Sequence, residues 1–365
     1  MERNLTTGNI GKTIAYFALP YLLSYFLQTL YGMADLFIIG QFDGVDGITA
    51  VSNGGQVMHM LTVIIVGLAM GTTVTIGKSV GAGKLDAASA SIGNTVTFFM
   101  GMSVVVMAVL VFLVNPIVTL IGIPAEAVAG TRQYLFVCFL GIPFITAYNV
   151  ISAIFRGLGD SQSPMYFIAI ACVANIVLDY VFIGGLGMGP IGAALGTTLA
   201  QTISVIISLI AIRRKETGIH LTKKELRVKR DVLGQILKIG IPVAVQDGCI
   251  QVAFIVISVI ANHRGLNDAA AVGVVEKLIG MIFIVPSSML ATVPALSAQN
   301  IGAGRHDRAR KLLYYAILIT GSYGIVMTIL IELFSKQTVG IFTTDAAVIL
   351  LGSQYISSYI IDCIF

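Results

Sequence analysis

Ten apolar tracts run almost end to end along this chain, and their length leaves few folds open. They cover approximately residues 14–40, 51–77, 87–114, 134–155, 164–184, 191–212, 232–261, 269–301 and 312–334, with a tenth from Ala347 onward. A helix needs about 20 such residues to cross the hydrocarbon layer of a bilayer. Membrane-spanning strands would alternate in polarity, and no alternation is present, so the tracts are read as helices. Charged residues make up 11% of the sequence, where a soluble domain carries about 25%. The expected fold class is therefore an all-α polytopic membrane protein.

The tracts fall into two sets around a basic joint, residues 213–231, which holds eight of the 22 Lys and Arg residues. The same pattern recurs on either side of it. Val80-Gly81-Ala82-Gly83-Lys84-Leu85-Asp86 returns as Ile301-Gly302-Ala303-Gly304-Arg305-His306-Asp307, and Leu19-Pro20 returns as Ile241-Pro242. An internal repeat of this kind means two copies of one unit. Residues 1–212 are expected to form one six-helix bundle, 213–231 a cytoplasmic linker, and 232–365 a partial second bundle. Six crossings precede the joint, so both copies share one orientation and are related by a pseudo-two-fold axis along the membrane normal. Extending the repeat puts the end of a second full copy near residue 434. On that basis the chain is expected to stop inside the tenth tract and to lack two more.

Charge sets the orientation. With the N-terminus inside, the inner segments hold Arg3, Lys12, Lys78, Lys84, Arg156, the joint and the cluster Arg305, Arg308, Arg310 and Lys311, while the outer ones hold Arg132, Arg264 and Lys336. The positive-inside rule favours that arrangement, a multi-pass membrane protein with a cytoplasmic N-terminus. The net charge of +4 reflects these loops, and no nucleic-acid surface is expected.

Several catalytic motifs can be weighed and set aside. Gly71 to Ser79 resembles a phosphate-binding loop but has one residue too many between its glycines and ends an apolar tract. Gly157-Leu158-Gly159-Asp160 matches the Gly-x-Gly-Asp of intramembrane aspartyl proteases, yet it lies in a polar stretch with no Tyr-Asp partner and reads better as a helix-ending turn. The four histidines are scattered, and Cys138, Cys172, Cys249 and Cys363 sit singly in apolar tracts without disulfide or zinc spacing. No enzyme activity and no cofactor are expected.

Acids inside the tracts are the informative residues, because a carboxylate at mid-membrane costs about 2.5 kcal/mol or more. Asp35 and Asp179 each lie about five residues before the outer end of the first and fifth tracts, hence at one depth. Asn175 precedes Asp179 by one turn on the same face, and Thr197 lies about two turns below the outer end of the sixth. Two carboxylates, an amide oxygen and a hydroxyl suit a proton or a hard cation such as sodium. Asp247, Glu276 and Asp362 are weaker candidates.

The two halves, the stretch Arg156-Gly157-Leu158-Gly159-Asp160-Ser161-Gln162-Ser163-Pro164, Asn175-x-x-x-Asp179 and Val80-Gly81-Ala82-Gly83-Lys84 together resemble the multidrug and toxic compound extrusion (MATE) family, with the MepA-like bacterial branch nearest in its first tract. The resemblance covers the whole chain. It implies a monomeric secondary antiporter exporting small amphipathic organic cations in exchange for protons or sodium. It carries over a cation site at Asp35, Asn175, Asp179 and Thr197 and cavity-lining positions at Gln28, Tyr31 and Asn149, with Tyr148 and Ser152 beside them. The acid that some sodium-coupled members carry past the proline of the seventh tract has no clear counterpart; Asp247 is out of register. A lipid-linked saccharide flippase of related fold would need a cationic cavity to hold its diphosphate, and the central stretches of tracts 1, 2, 4 and 5 contain no Arg or Lys.

Overall fold

The computed structural model describes residues 5–214 and 225–364, so Arg3 and the middle of the basic joint lie outside the described residues. Every regular element described is helical. In chain order these are α1 Ile10–Phe42, α2 Gly44–Gly81, α3 Leu85–Ile121, α4 Ala125–Leu140, α5 Ile142–Leu158, α6 Gln162–Asp179, a π-helical turn Tyr180–Gly185 that continues α6, α7 Gly189–Arg214, α8 Arg230–Arg264, α9 Leu266–Ile282, α10 Ile284–Gly302, α11 His306–Gly340 and α12 Ala346–Ile360. Among the described residues, eight helices are long and apolar enough to cross a membrane, and two bent pairs, α4 with α5 and α9 with α10, bring the total to ten if each pair is one span.

The bends have local causes. α4 and α5 meet at 51° across Gly141, and Pro143 two residues on has no N–H to continue the ladder. α9 and α10 meet at 44° just before Pro286, which leaves the Ile282 carbonyl without its helical donor. The Tyr323 hydroxyl on α11 donates to that carbonyl at 2.8 Å. The tract from Ala347 forms a 19-residue helical span, about 28 Å at the usual rise per residue.

With α1–α7 taken as the first lobe and α8–α12 as the second, the buried residues gather into separate cores. Ile39, Val51, Leu135, Phe139 and Ile183 make the core of one half of the first lobe, and Ile76, Ile92, Phe99 and Ile154 that of the other. Val275, Ile279, Ile331, Ile356 and Cys363 form the core of the second. The start of the second lobe is anchored on the first: Thr97 donates to the Leu226 carbonyl at 2.8 Å, and Asn94 accepts from the Lys229 N–H.

The lobes meet at the end of the molecule that carries the joint. There the buried Ile14, Phe17, Ala18 and Tyr21 of α1 pack on Met289, Ala295 and Leu296 of α10. The related contact, α2 on α8, brings backbones together where a side chain would not fit, with Gly71 against the Ile236 carbonyl and Gly240 against the Leu68 carbonyl. Between these two contacts α2 crosses α10. Gly81 sits on the backbone of Gln299, and Gly302 sits on the backbone of Lys78. In the repeat Gly81 corresponds to Gly302 and Lys78 to Gln299, so one contact is written twice about the pseudo-two-fold axis, as in a symmetric dimer interface. Gln299 Nε2 also donates to the Gly157 carbonyl at 2.9 Å, while Arg305 and Arg308 donate to the Thr6, Thr7 and Gly8 carbonyls. This double crossing closes the joint end.

Candidate functional site

The four residues expected to hold a cation come together from three helices. Asp35 is buried on α1, Asn175 and Asp179 are buried on α6, and Thr197 lies half-buried on α7. Thr197 Oγ1 and Asp35 Oδ2 are 3.4 Å apart, as are Asn175 Nδ2 and Asp179 Oδ2. The Asp35 carboxyl is within hydrogen-bonding reach of Asp179 as well as of Asn175 and Thr197.

Local backbone features explain the meeting. Asp179 is the last residue of regular α6, and the π-helical turn begins at Tyr180; such turns often mark functional sites. α7 approaches that point through Gly196, where a Cβ would collide with Asp179 Oδ1. Gly192, one turn earlier, lies against Phe182 in the π turn.

Buried oxygens here are short of donors. Asp35 Oδ1, Asn175 Oδ1 and Asp179 Oδ1 have no hydrogen-bond partner, nor does Gln201 Oε1 one turn along α7 from Thr197. No Lys or Arg pairs with either acid among the described residues. Two carboxyls in contact cannot both be ionised at low cost without a proton or cation between them. The donor set is all oxygen, and no cluster of three His, Cys, Asp or Glu forms among the described residues. It fits a proton or a sodium ion, not a thiophilic or imidazole-bound metal.

The site opens onto a narrow crevice lined by Tyr31, Ala171, Asn175, Thr197, Ala200 and Gln201. A drug-sized molecule needs a pocket of about 300 Å³ or more, and the crevice is too small to hold one. Of the positions expected to line a substrate cavity, Tyr31 borders the crevice and packs with buried Tyr148 in one cluster that includes Phe155 and Phe167. Ser152 is buried beside the Tyr148 hydroxyl. Asn149 is buried with its amide on its own helix, donating to the Ile145 carbonyl at 2.8 Å. Gln28 is half-buried on α1 and does not border the crevice.

Three other assignments resolve at the joint end. Gly159 ends α5 in the left-handed conformation at φ +91°, and Asp160 caps α6, accepting from the Gln162 and Ser163 N–H groups at 3.0 Å and from Ser163 Oγ at 2.6 Å. Gly71 to Ser79 is continuous helix within α2. Arg156, read as part of a polar loop, is instead in the last turn of α5 and buried, because the helix runs on to Leu158 and Tyr21 covers the guanidinium. Among the other acids, Asp247 lies close to Gly67 on α2, Glu276 accepts from Ser258 Oγ at 2.9 Å, and Asp362 is exposed.

Gly196 and Gln201 were not singled out from sequence. Each had a readable signal. Gly192 and Gly196 are a small-xxx-small pair in an apolar helix, and Gln201 follows Thr197 by four residues.

The MatE family profile matches residues 20–181 and again 242–365, so it finds both halves of the repeat. Among curated proteins, the chain is 28% identical to the probable multidrug resistance protein YpnP of Bacillus subtilis over 97% of its own length and 79% of the relative's. It is 27% identical to the probable multidrug resistance protein YoeA of the same organism, covering 92% of this chain and 74% of that one. To the multidrug export protein MepA of Staphylococcus aureus it is 24% identical, over 93% of this chain and 75% of the relative. Among solved structures, MATE in the straight conformation superposes with a TM-score of 0.88 at 23% identity over 98% of this chain and 80% of that one. An outward-facing multidrug resistance MATE transporter of the MOP superfamily gives 0.87 at 23% identity over 98% and 79%. Two matches of one family profile, covering most of the sequence, place the chain in the MatE family.

Proposed function

We propose that this multi-pass membrane protein is a secondary antiporter that exports amphipathic, cationic compounds in exchange for protons or sodium. The observation that carries the reading is the pair of buried carboxyls, Asp35 and Asp179, in contact and with oxygens left unpartnered. When the site holds a proton or a sodium ion, the pair can remain buried; when the ion leaves, the charges repel and hydration of the lobe is favoured. A cargo that binds better to the hydrated arrangement then competes with the ion through the conformation of the lobe. Tyr31 and Tyr148 offer aromatic faces to a flat cation next to the ion site.

Several finer assignments belong to the same proposal. The N-terminus and the joint are on the cytoplasmic side, as the distribution of Lys and Arg favours. The protein acts as a monomer and needs no cofactor beyond the coupling ion. The relatives named for multidrug resistance and export support the cargo class.

Ethidium efflux from cells expressing the protein that carries this sequence tests the reading, with the sodium and pH gradients collapsed separately. Efflux that stops when one gradient is removed is the expected result and identifies the coupling ion. Efflux indifferent to both gradients would refute antiport.

A further inference from the structure

Arg156 is the one buried Lys or Arg among the described residues, at 6% exposure. Its guanidinium lies 6.0 Å from the centre of the Tyr21 ring. No carboxylate among the described residues pairs with it, and Asp160, one turn on, is engaged in capping α6. Arg156 Nε has no acceptor and the Tyr21 hydroxyl is likewise unpartnered, while Ser152 Oγ lies within reach of the Tyr148 hydroxyl. Ser152 precedes Arg156 by one turn of α5 and shares its face. Tyr25 and Tyr148 stand within electrostatic reach of the same guanidinium.

The cluster is thus a set of buried donors flanked by aromatic rings. The helix C-terminus and the Tyr21 ring offset part of the charge. They leave Nε and the Tyr21 hydroxyl unaccepted, which is costly in a buried place. A planar guanidinium is matched by a carboxylate, which can accept two parallel hydrogen bonds from it. One cation balances one negative charge, so a monoanion fits and a diphosphate does not. Along α1, Tyr21 is 14 residues from Asp35, about 21 Å at the usual helical rise. A drug-sized molecule does not span that distance, so this place and the acid pair take different groups.

We propose that Arg156, Tyr21 and Ser152 form an anion subsite for the carboxylate of an aromatic amphiphile, a cargo class opposite in charge to the one expected at the acid end. This rests on the export reading for its purpose, and on geometry alone for its binding chemistry.

The test is equilibrium binding to the purified protein in nanodiscs, using a naphthalene carboxylate, its uncharged primary amide, and ethidium. The wild type is expected to bind the carboxylate about tenfold or more tighter than the amide, as a charge-assisted pair allows. Arg156→Gln removes that preference and leaves ethidium binding within about twofold. A wild type that does not tell acid from amide overturns the proposal, as does a parallel loss of carboxylate and ethidium binding in Arg156→Gln. Should Arg156→Gln fail to reach the membrane, Tyr21→Phe deletes one hydroxyl alone. A roughly threefold or larger loss for the carboxylate only is then expected, and no loss counts against the subsite. Ethidium efflux, measured separately, tells the two readings apart: discrimination without efflux keeps the subsite and defeats export, and efflux without discrimination does the reverse.

Discussion

The double crossing of α2 and α10 predicts that a single methyl group opens the joint end. A Cβ at residue 302 would stand 2.8 Å from the Lys78 carbonyl carbon and 2.9 Å from its Cα. Carbon atoms rest at about 3.5–4.0 Å, so the two helices must part by roughly 1 Å. The atoms in the way are backbone, and no side chain can swing aside. Overpacking of this kind costs about 1–3 kcal/mol. If the strain is felt only while the end is closed, it shifts the equilibrium between closed and open by about 5-fold to 150-fold. Gly302→Ala and Gly81→Ala should behave alike, because the Gly81 position meets Gln299 in the same way, with the carbonyl carbon at 2.7 Å. The double variant should add little once the helices have parted. Hydrogen exchange by mass spectrometry reads the effect, as faster exchange in peptides covering residues 77–83 and 299–305. Gly101→Ala, where a Cβ meets nothing within 4 Å, is the control. Wild-type exchange in both peptides for Gly302→Ala would refute the reasoning.

Three further outcomes are expected. Asp35→Asn and Asp179→Asn should each abolish gradient-driven ethidium efflux while the protein still reaches the membrane, whereas Val256→Ala does neither; near wild-type efflux in Asp35→Asn would move the search to Asp247. Gly196→Ala forces Asp179 from its place, since the collision is with its carboxyl oxygen, and efflux should fall at least tenfold, or about 1.4 kcal/mol in the rate-limiting barrier, with thermal stability changed far less. Tyr31→Ala should alter resistance to some drugs more than to others, and a uniform loss across chemically unlike drugs would make the ring structural.

The ten spans were legible because a run of apolar residues reports its own length, whatever it packs against. The acid pair was legible for a related reason: two carboxylates equally far from the ends of parallel tracts must share a depth. What sequence did not show depends on contacts across helices. The requirement at Gly196 comes from where the Asp179 side chain lies, and the bend before Pro286 is completed by Tyr323 from another helix. Asn149 looked like a cavity amide, but a buried asparagine can satisfy its donor on the carbonyl four residues back, and this one does. Arg156 looked like a loop residue because glycines and an aspartate follow it. Its burial depends on Tyr21, 135 residues earlier in the chain.

The duplicated scaffold and the unduplicated chemistry can now be set side by side. The repeat maps Asp35 onto Val256 or Ile257; Val256 is half exposed on α8, and neither can carry a charge. At the joint end the two copies are used symmetrically, Gly81 answering Gly302. At the other end only the first copy supplies the paired acids. α1 takes part in both places, with Asp35 against α6 and α7 and with Ile14, Phe17 and Tyr21 against α10. A change of charge at Asp35 would alter the fit of α1 within its own lobe, and the same helix, with Pro20 inside it, forms one side of the contact that keeps the lobes together. Coupling through a contiguous packed element needs a structure with two arrangements that both sites bias. The glycine crossing offers such a structure, because its close backbone contact is either made or lost. On this account Gly81→Ala and Asp35→Asn disturb one equilibrium from opposite ends, and their effects on exchange at residues 77–83 should be non-additive. Simple additivity would mean that the acid pair and the crossing work independently.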